Sequence, residues 1–176
     1  MLIYLIGFMG CGKSTHGKSL ARFLNFGFID MDDALQHISS KPISELFSEP
    51  EGEAGFRRLE SVWLETEAVK LKNTVIAAGG GAPCYHENMD KMNQTGITVY
   101  LRLHPVSLFH RLLPGKAKRP LISRLNDSEL MDFIESKLSE RESYYMKAHL
   151  IVKGENLDTR TLAREIISHP LFSNQK

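Results

Sequence analysis

Leu2-Ile3-Tyr4-Leu5-Ile6 runs straight into Gly7-Phe8-Met9-Gly10-Cys11-Gly12-Lys13-Ser14-Thr15. Five consecutive apolar residues without alternation fit a strand buried on both faces, as in a parallel sheet. The segment from Gly7 to Ser14 satisfies the spacing GxxxxGK followed by Ser or Thr, and helical periodicity follows over residues 14–24 with Leu20, Ala21 and Leu24. Strand, glycine loop and helix in that order form a phosphate-binding loop. The glycines let successive backbone N–H groups turn inward, and the helix start adds its unpaired N–H groups and positive dipole end. Lys13 is placed to neutralise the outer phosphates of a nucleoside triphosphate, and the Ser14 hydroxyl to ligate Mg²⁺. Chance would produce this pattern in roughly one chain of this length in two hundred. Cys11 is read as a small residue filling the loop, since nothing near it in sequence supplies a base.

Working outward, short apolar runs at residues 27–29, 74–78, 97–101 and 150–152 read as further strands. Helical spacing occupies residues 56–71 (Leu59, Val62, Trp63, Val69), 127–145 (Leu130, Phe133, Ile134, Leu138) and 159–168 (Leu162, Ile166, Ile167). The alternation predicts an α/β fold with a parallel sheet flanked by helices. Two stretches interrupt it. Residues 33–60 and residues 112–126 carry Pro, Gly and charged side chains and read as a substrate-binding insertion and a lid on a single domain.

The chain has 176 residues, a size that buries roughly 70% of the unfolded surface without disulfides. Its 22 basic and 21 acidic residues leave a net charge of +1, which disfavours nucleic acid as the main partner. The basic cluster at residues 116–124 is short. Two cysteines outside any CxxC pair make a reducing cytoplasm the expectation. The apolar start has no preceding basic residue and is too short to span a bilayer, so no membrane association is expected. A near-neutral surface and no heptad stripe make a monomer the expectation.

Further motifs narrow the chemistry. The second strand ends in Asp30-Met31-Asp32-Asp33. Strand carboxyl ends line the ligand crevice of such sheets, so one acid can hold the water shell of Mg²⁺ while the other accepts the proton of an attacking hydroxyl. The plainer reading makes Asp32 or Asp33 a helix N-cap, and Asp33 fits it best. Arg57 and Arg58 fall in what reads as the first turn of a helix, where the dipole disfavours cations, so an anionic ligand would explain them. Pairing with Glu53 or Glu60 on a solvated face is the alternative. Gly79-Gly80-Gly81 ends the third strand, either as a tight turn or as bare backbone for a substrate.

Taken together, the loop Gly7–Thr15, Asp30-x-Asp32, Gly52-Glu53 with Phe56-Arg57 and Glu60, Gly79-Gly80-Gly81, Arg119-Pro120-Leu121 and Arg141 resemble the shikimate kinases. The resemblance spans nearly the whole chain. It implies a three-layer P-loop fold of the nucleoside monophosphate kinase type with a five-stranded parallel sheet. The implied reaction moves the γ-phosphate of ATP to a shikimate hydroxyl, in aromatic amino acid biosynthesis. By position, Arg57 and Arg141 are expected to grip the shikimate carboxylate, Asp32 to bind ring hydroxyls and act as base, and Gly80 to donate its N–H to the ring beside Gly79 and Gly81. Gly10, Cys11, Gly12, Lys13, Ser14 and Thr15 are expected on the phosphates, with Asp30 near the metal through water. Arg119 is expected on the phosphates from the lid, shared with Lys116 and Lys118, and Arg111 near the adenine. His16, where the family has an aliphatic residue, is expected only to pack or face solvent. Competing readings are a kinase for another acceptor, such as gluconate or a nucleoside monophosphate, and a guanine-nucleotide switch, for which no NKxD element is present.

Overall fold

The computed structural model describes residues 1–119 and 121–173. Pro120 of the lid run and the side chain of Lys118 lie outside the described residues, so the expected share of Lys118 in phosphate binding falls there too. Five strands, Leu2–Ile6 (β1), Gly27–Asp30 (β2), Thr74–Ala77 (β3), Ile97–Arg102 (β4) and Leu150–Lys153 (β5), pair in parallel in the order β2-β3-β1-β4-β5. Every strand starts where the sequence reading put it. β1 is central and buried along its whole length, which is why its sequence is continuously apolar.

Helix Lys13–Leu24 (α1) follows β1, and Met31–Ser39 (α2), Ile43–Leu46 (α3) and Gly52–Thr66 (α4) fill the stretch between β2 and β3. Asn88–Thr95 (α5) precedes β4; Pro105–Leu112 (α6) and Asp127–Tyr145 (α7) lie between β4 and β5; Thr159–Ser168 (α8) and Pro170–Ser173 (α9) close the chain. α1 packs with α8 and against β3, α5 lies on β4, and α6 packs on α7. A capping box at Asn126 and Glu129 starts α7 where the sequence reading places it. Among the described residues, no helix is long and apolar enough to cross a membrane.

The reading of α4 needs correction. The helix begins at Gly52 and ends at Thr66, with a separate 3₁₀ turn at Ala68–Lys70, instead of running over residues 56–71. Arg57 and Arg58 therefore sit in the second turn, and the dipole argument for them lapses. The buried face carries Phe56, Arg57, Glu60, Trp63 and Leu64, whereas Leu59, Val62 and Val69 are exposed. In α8, Leu162 and Ile166 are buried as expected but Ile167 is exposed.

The connection from β1 leaves toward β2, and that from β3 leaves toward β4 on the opposite side. A crevice opens at the carboxyl ends of two such neighbouring strands, the usual ligand position in a doubly wound sheet.

Candidate active site

At the end of β1 the chain turns through Gly12, whose φ of 99° is the left-handed conformation that a side chain disfavours. The Lys13 ammonium folds back onto its own loop, donating to the carbonyls of Gly7 at 2.8 Å and Phe8 at 3.0 Å. Cys11 is fully buried in the core cluster, so it fills the loop as expected. Its carbonyl accepts from Arg111 at 3.2 Å, and the same guanidinium donates to the Gly154 carbonyl at 3.4 Å. Arg111 thus ties the phosphate loop to the segment after β5. His16 sits against Gly12, and burial, with help from Arg111, lowers its pKa.

The Ser14 hydroxyl donates to Asp30 Oδ2 at 2.6 Å, and Asp30 Oδ1 accepts the Asp32 backbone N–H at 3.1 Å. Asp30 is therefore the N-cap of α2, and neither Asp32 nor Asp33 is. One carboxylate both starts the helix and meets the loop serine. Two hard oxygen donors side by side at the base of the phosphate loop fit a Mg²⁺ ion that keeps part of its water shell. Among the described residues, no group of three or more His, Cys, Asp or Glu side chains is arranged to hold a metal.

A cavity of about 320 Å³ opens over Lys13, Ser14, Thr15 and Asp30, with Gly10, Gly12 and Arg111 on its rim. It adjoins a second cavity of about 440 Å³ lined by Arg57, Glu60, Gly79, Gly80, Gly81 and Arg141, with Gln36, Phe47 and Phe56 behind them. Met9, Asp32, Gly80 and Arg119 line both. Burial, reinforced by Asp30 and partly offset by Lys13 and Arg57, raises the pKa of Asp32 and makes it a better proton acceptor.

Arg57 is buried and holds two carboxylates: Nε and Nη2 donate to Glu53 Oε1 at 3.2 and 2.7 Å, and Nη1 donates to Glu60 Oε2 at 2.7 Å. Arg58 pairs instead with exposed Glu51 and stays outside the site. Burial opposes the charge on Arg57, but Glu60 and Glu53 outweigh it and raise its pKa. At Glu60 the balance runs the other way. Burial, reinforced by Asp32 and only partly offset by Arg57, pushes its pKa up to about 7. The two directions conflict, and geometry sides with burial at the acid: Glu60 Oε1 has no hydrogen-bond partner among the described residues.

Two of the three glycines are explained by close approach. A Cβ on Gly79 would stand 2.4 Å from Glu60 Oε1, and one on Gly81 would stand 2.5 Å from Arg57 Cζ. Protein side chains as well as cavity space occupy the bare backbone. The Gly80 carbonyl accepts from Arg141 Nη1 at 3.4 Å and from the Tyr145 hydroxyl. Arg141 and Tyr145 lie four residues apart on α7 and share that face. Lys116, expected on the phosphates, instead donates to the Leu125 carbonyl at 2.6 Å, within the 112–126 stretch itself. Cys84 is half-buried, and burial pushes its thiol up to about 11, which disfavours the nucleophilic thiolate.

The residues brought together are Lys13, Ser14, Asp30, Asp32, Arg57, Gly79–Gly81, Arg111, Arg119 and Arg141. Glu60 and Tyr145 were not singled out as site residues from sequence. Glu60 was visible in the motif around Arg57 and as a pairing partner for it, whereas the signal for Tyr145 was its spacing four residues after Arg141.

A family model described as shikimate kinase matches residues 9–170. This chain belongs to the shikimate kinase family. A curated shikimate kinase of Bacteroides thetaiotaomicron is 47% identical over 158 residues, covering 90% of this chain and 89% of that protein. One of Phocaeicola vulgatus is 42% identical over the same length and shares of the two chains. The crystal structure of the Bacteroides thetaiotaomicron shikimate kinase superposes with a TM-score of 0.88 at 43% identity, covering 95% of this chain and 96% of that one. The Acinetobacter baumannii shikimate kinase, solved in complex with shikimate, gives 0.82 at 34% identity, covering 99% and 95%. A gluconokinase from Sinorhizobium meliloti at 18% identity and a TM-score of 0.57 shares the fold alone. These likenesses bear out the P-loop kinase fold, a five-stranded parallel sheet flanked by helices, that the sequence led us to expect.

Proposed function

We propose that this shikimate kinase family member transfers the γ-phosphate of ATP to a ring hydroxyl of shikimate, giving shikimate 3-phosphate and ADP. The observation that carries the reading is the wall between the two cavities. Asp32 and Arg119 border both the phosphate loop and the pocket holding Arg57 and Arg141. A carboxylate seat and a triphosphate cradle sharing a base and a cation suit transfer between them.

ATP occupies the smaller cavity, with Lys13 and the loop N–H groups on its phosphates and Arg111 toward the adenine. Ser14 and Asp30 would hold Mg²⁺, which supplies neutralisation of the phosphate charge. Arg57 and Arg141 take the acceptor carboxylate, a task suited to planar, permanently charged forks. The acceptor hydroxyl attacks the γ-phosphorus as its bond to the bridging oxygen of ADP breaks. Asp32, with its raised pKa, receives the hydroxyl proton. The transition state is loose and asks mainly for positioning and charge stabilisation. Arg119 supplies cationic charge at the transferring group, a role worth about 10³–10⁵ in rate for arginine fingers. Residues 33–60 act as the acceptor-binding insertion and residues 112–126 as the lid that excludes water. The free thiols Cys11 and Cys84 suit a reducing cytoplasm, and the near-neutral charge suits a monomer acting on small molecules.

An ADP-release assay tests this with shikimate, gluconate, AMP or no acceptor. Release is expected to accelerate with shikimate; equal rates in all four reactions would overturn the assignment.

A further inference from the structure

The Arg57 guanidinium touches three aromatic rings. Phe47 and Phe56 lie 5.8 and 5.5 Å from its Cζ to the ring centroids, and both belong to the insertion that carries Arg57 itself. The third and nearest ring is Tyr85, at 4.9 Å. Tyr85 comes from a different part of the chain, the segment between β3 and α5.

That segment is held together by hydrogen bonds of its own. The Cys84 N–H donates to the Gly81 carbonyl at 2.9 Å, and the Asn88 N–H to the Tyr85 carbonyl at 2.9 Å. The Asn88 side chain, fully buried, donates to the Ala82 carbonyl at 3.0 Å. Tyr85 therefore stands four residues beyond Gly81, against which Arg57 Cζ also packs. The ring does not line the acceptor cavity and keeps 38% of its surface exposed, so its contact with Arg57 is its main engagement with the site.

We infer that Tyr85 is a positioning residue: its ring fixes the Arg57 guanidinium relative to the Gly79–Gly81 backbone and so sets the affinity for the acceptor carboxylate. The inference rests on Arg57 being part of the carboxylate seat. A cation over an aromatic face is held by the ring's quadrupole, more firmly where water is excluded, and Arg57 is buried. The two carboxylates on Arg57 both come from α4 and move with it. Tyr85 is the aromatic contact that references Arg57 to the sheet side of the pocket.

The test compares Tyr85→Phe, Tyr85→Leu and Arg57→Lys in steady-state kinetics with shikimate and with the analogue whose carboxylate is reduced to hydroxymethyl. Tyr85→Leu keeps an apolar side chain but loses the π face. It is expected to raise the KM for shikimate about three- to tenfold, with kcat and the KM for ATP changed less than about twofold. Tyr85→Phe keeps the π face and is expected to restore the shikimate KM. With the uncharged analogue the two variants should match the wild type. Equal KM values for Leu and wild type, or the same loss on the uncharged analogue, would overturn the role of Tyr85. If Arg57→Lys weakens shikimate while Tyr85→Leu does not, only the positioning inference falls. If Arg57→Lys leaves shikimate unaffected, the carboxylate seat itself falls, and this inference with it.

Discussion

The Ser14 hydroxyl donates directly to the Asp30 carboxylate at 2.6 Å, joining the phosphate loop to the last residue of β2. Asp30 also caps α2, so its charge and its capping role are separable. Asn caps as well as Asp but carries no charge. Asp30→Asn should therefore fold with nearly wild-type stability while the Mg²⁺ concentration for half-maximal activity rises roughly 10–100-fold, the usual range when a residue supporting a metal site is lost. Titration of Mg²⁺ at fixed ATP, beside a thermal melt, checks both halves.

Lys13 makes its hydrogen bonds within its own loop. Lys13→Ala should leave the circular dichroism spectrum unchanged and lower kcat by roughly 10²–10³-fold or more, as for other lost electrostatic stabilisers. Near-normal turnover would remove Lys13 from the mechanism.

Arg57 has its forked donors committed to Glu53 and Glu60 on one side and open to the cavity on the other. A lysine offers a point charge without the fork. Arg57→Lys should raise the shikimate KM about 10–100-fold, the cost of weakened charged hydrogen bonds, with a much smaller effect on the ATP KM. Initial rates with each substrate varied in turn give the split.

Glu60 predicts a pH dependence. Its folded pKa lies near 7, above its ordinary value of 4.5, so the folded state holds a proton that the unfolded state releases. That contribution to stability is fully present below about pH 4.5 and is lost as pH rises through about 7. Ionisation also adds negative charge beside Arg57, so the shikimate KM should rise over the same upper limb. Glu60→Gln should flatten both trends, read by melts and KM values between pH 5.5 and 8.5.

The phosphate loop and the strands were legible because their signals are local: glycine spacing, and apolar runs bounded by turns. α7 was legible through its long periodic run and its cap. The acceptor side was harder. On α4 the pattern was read as apolar equals buried, yet Arg57 and Glu60 hold the inner face while Leu59 and Val62 stay outside. The cavity lining inverts the usual rule there, because a buried ion pair takes positions a core would give to leucine. The cap at Asp30 was missed because its side chain serves two partners, one of them distant in sequence. The polar run of α5 and the short α6, opened by Pro105, gave too little periodicity to stand out.

The resting contacts of Lys13 have a consequence for turnover. Because the ammonium already rests on two carbonyl oxygens of its own loop, arrival of a nucleotide is an exchange of partners. Affinity then reflects the difference between two sets of bonds. On the proposed reading, a nucleotide that has lost its outermost phosphate would compete less well for that ammonium, and the loop carbonyls would take it back, which would favour departure of the spent diphosphate.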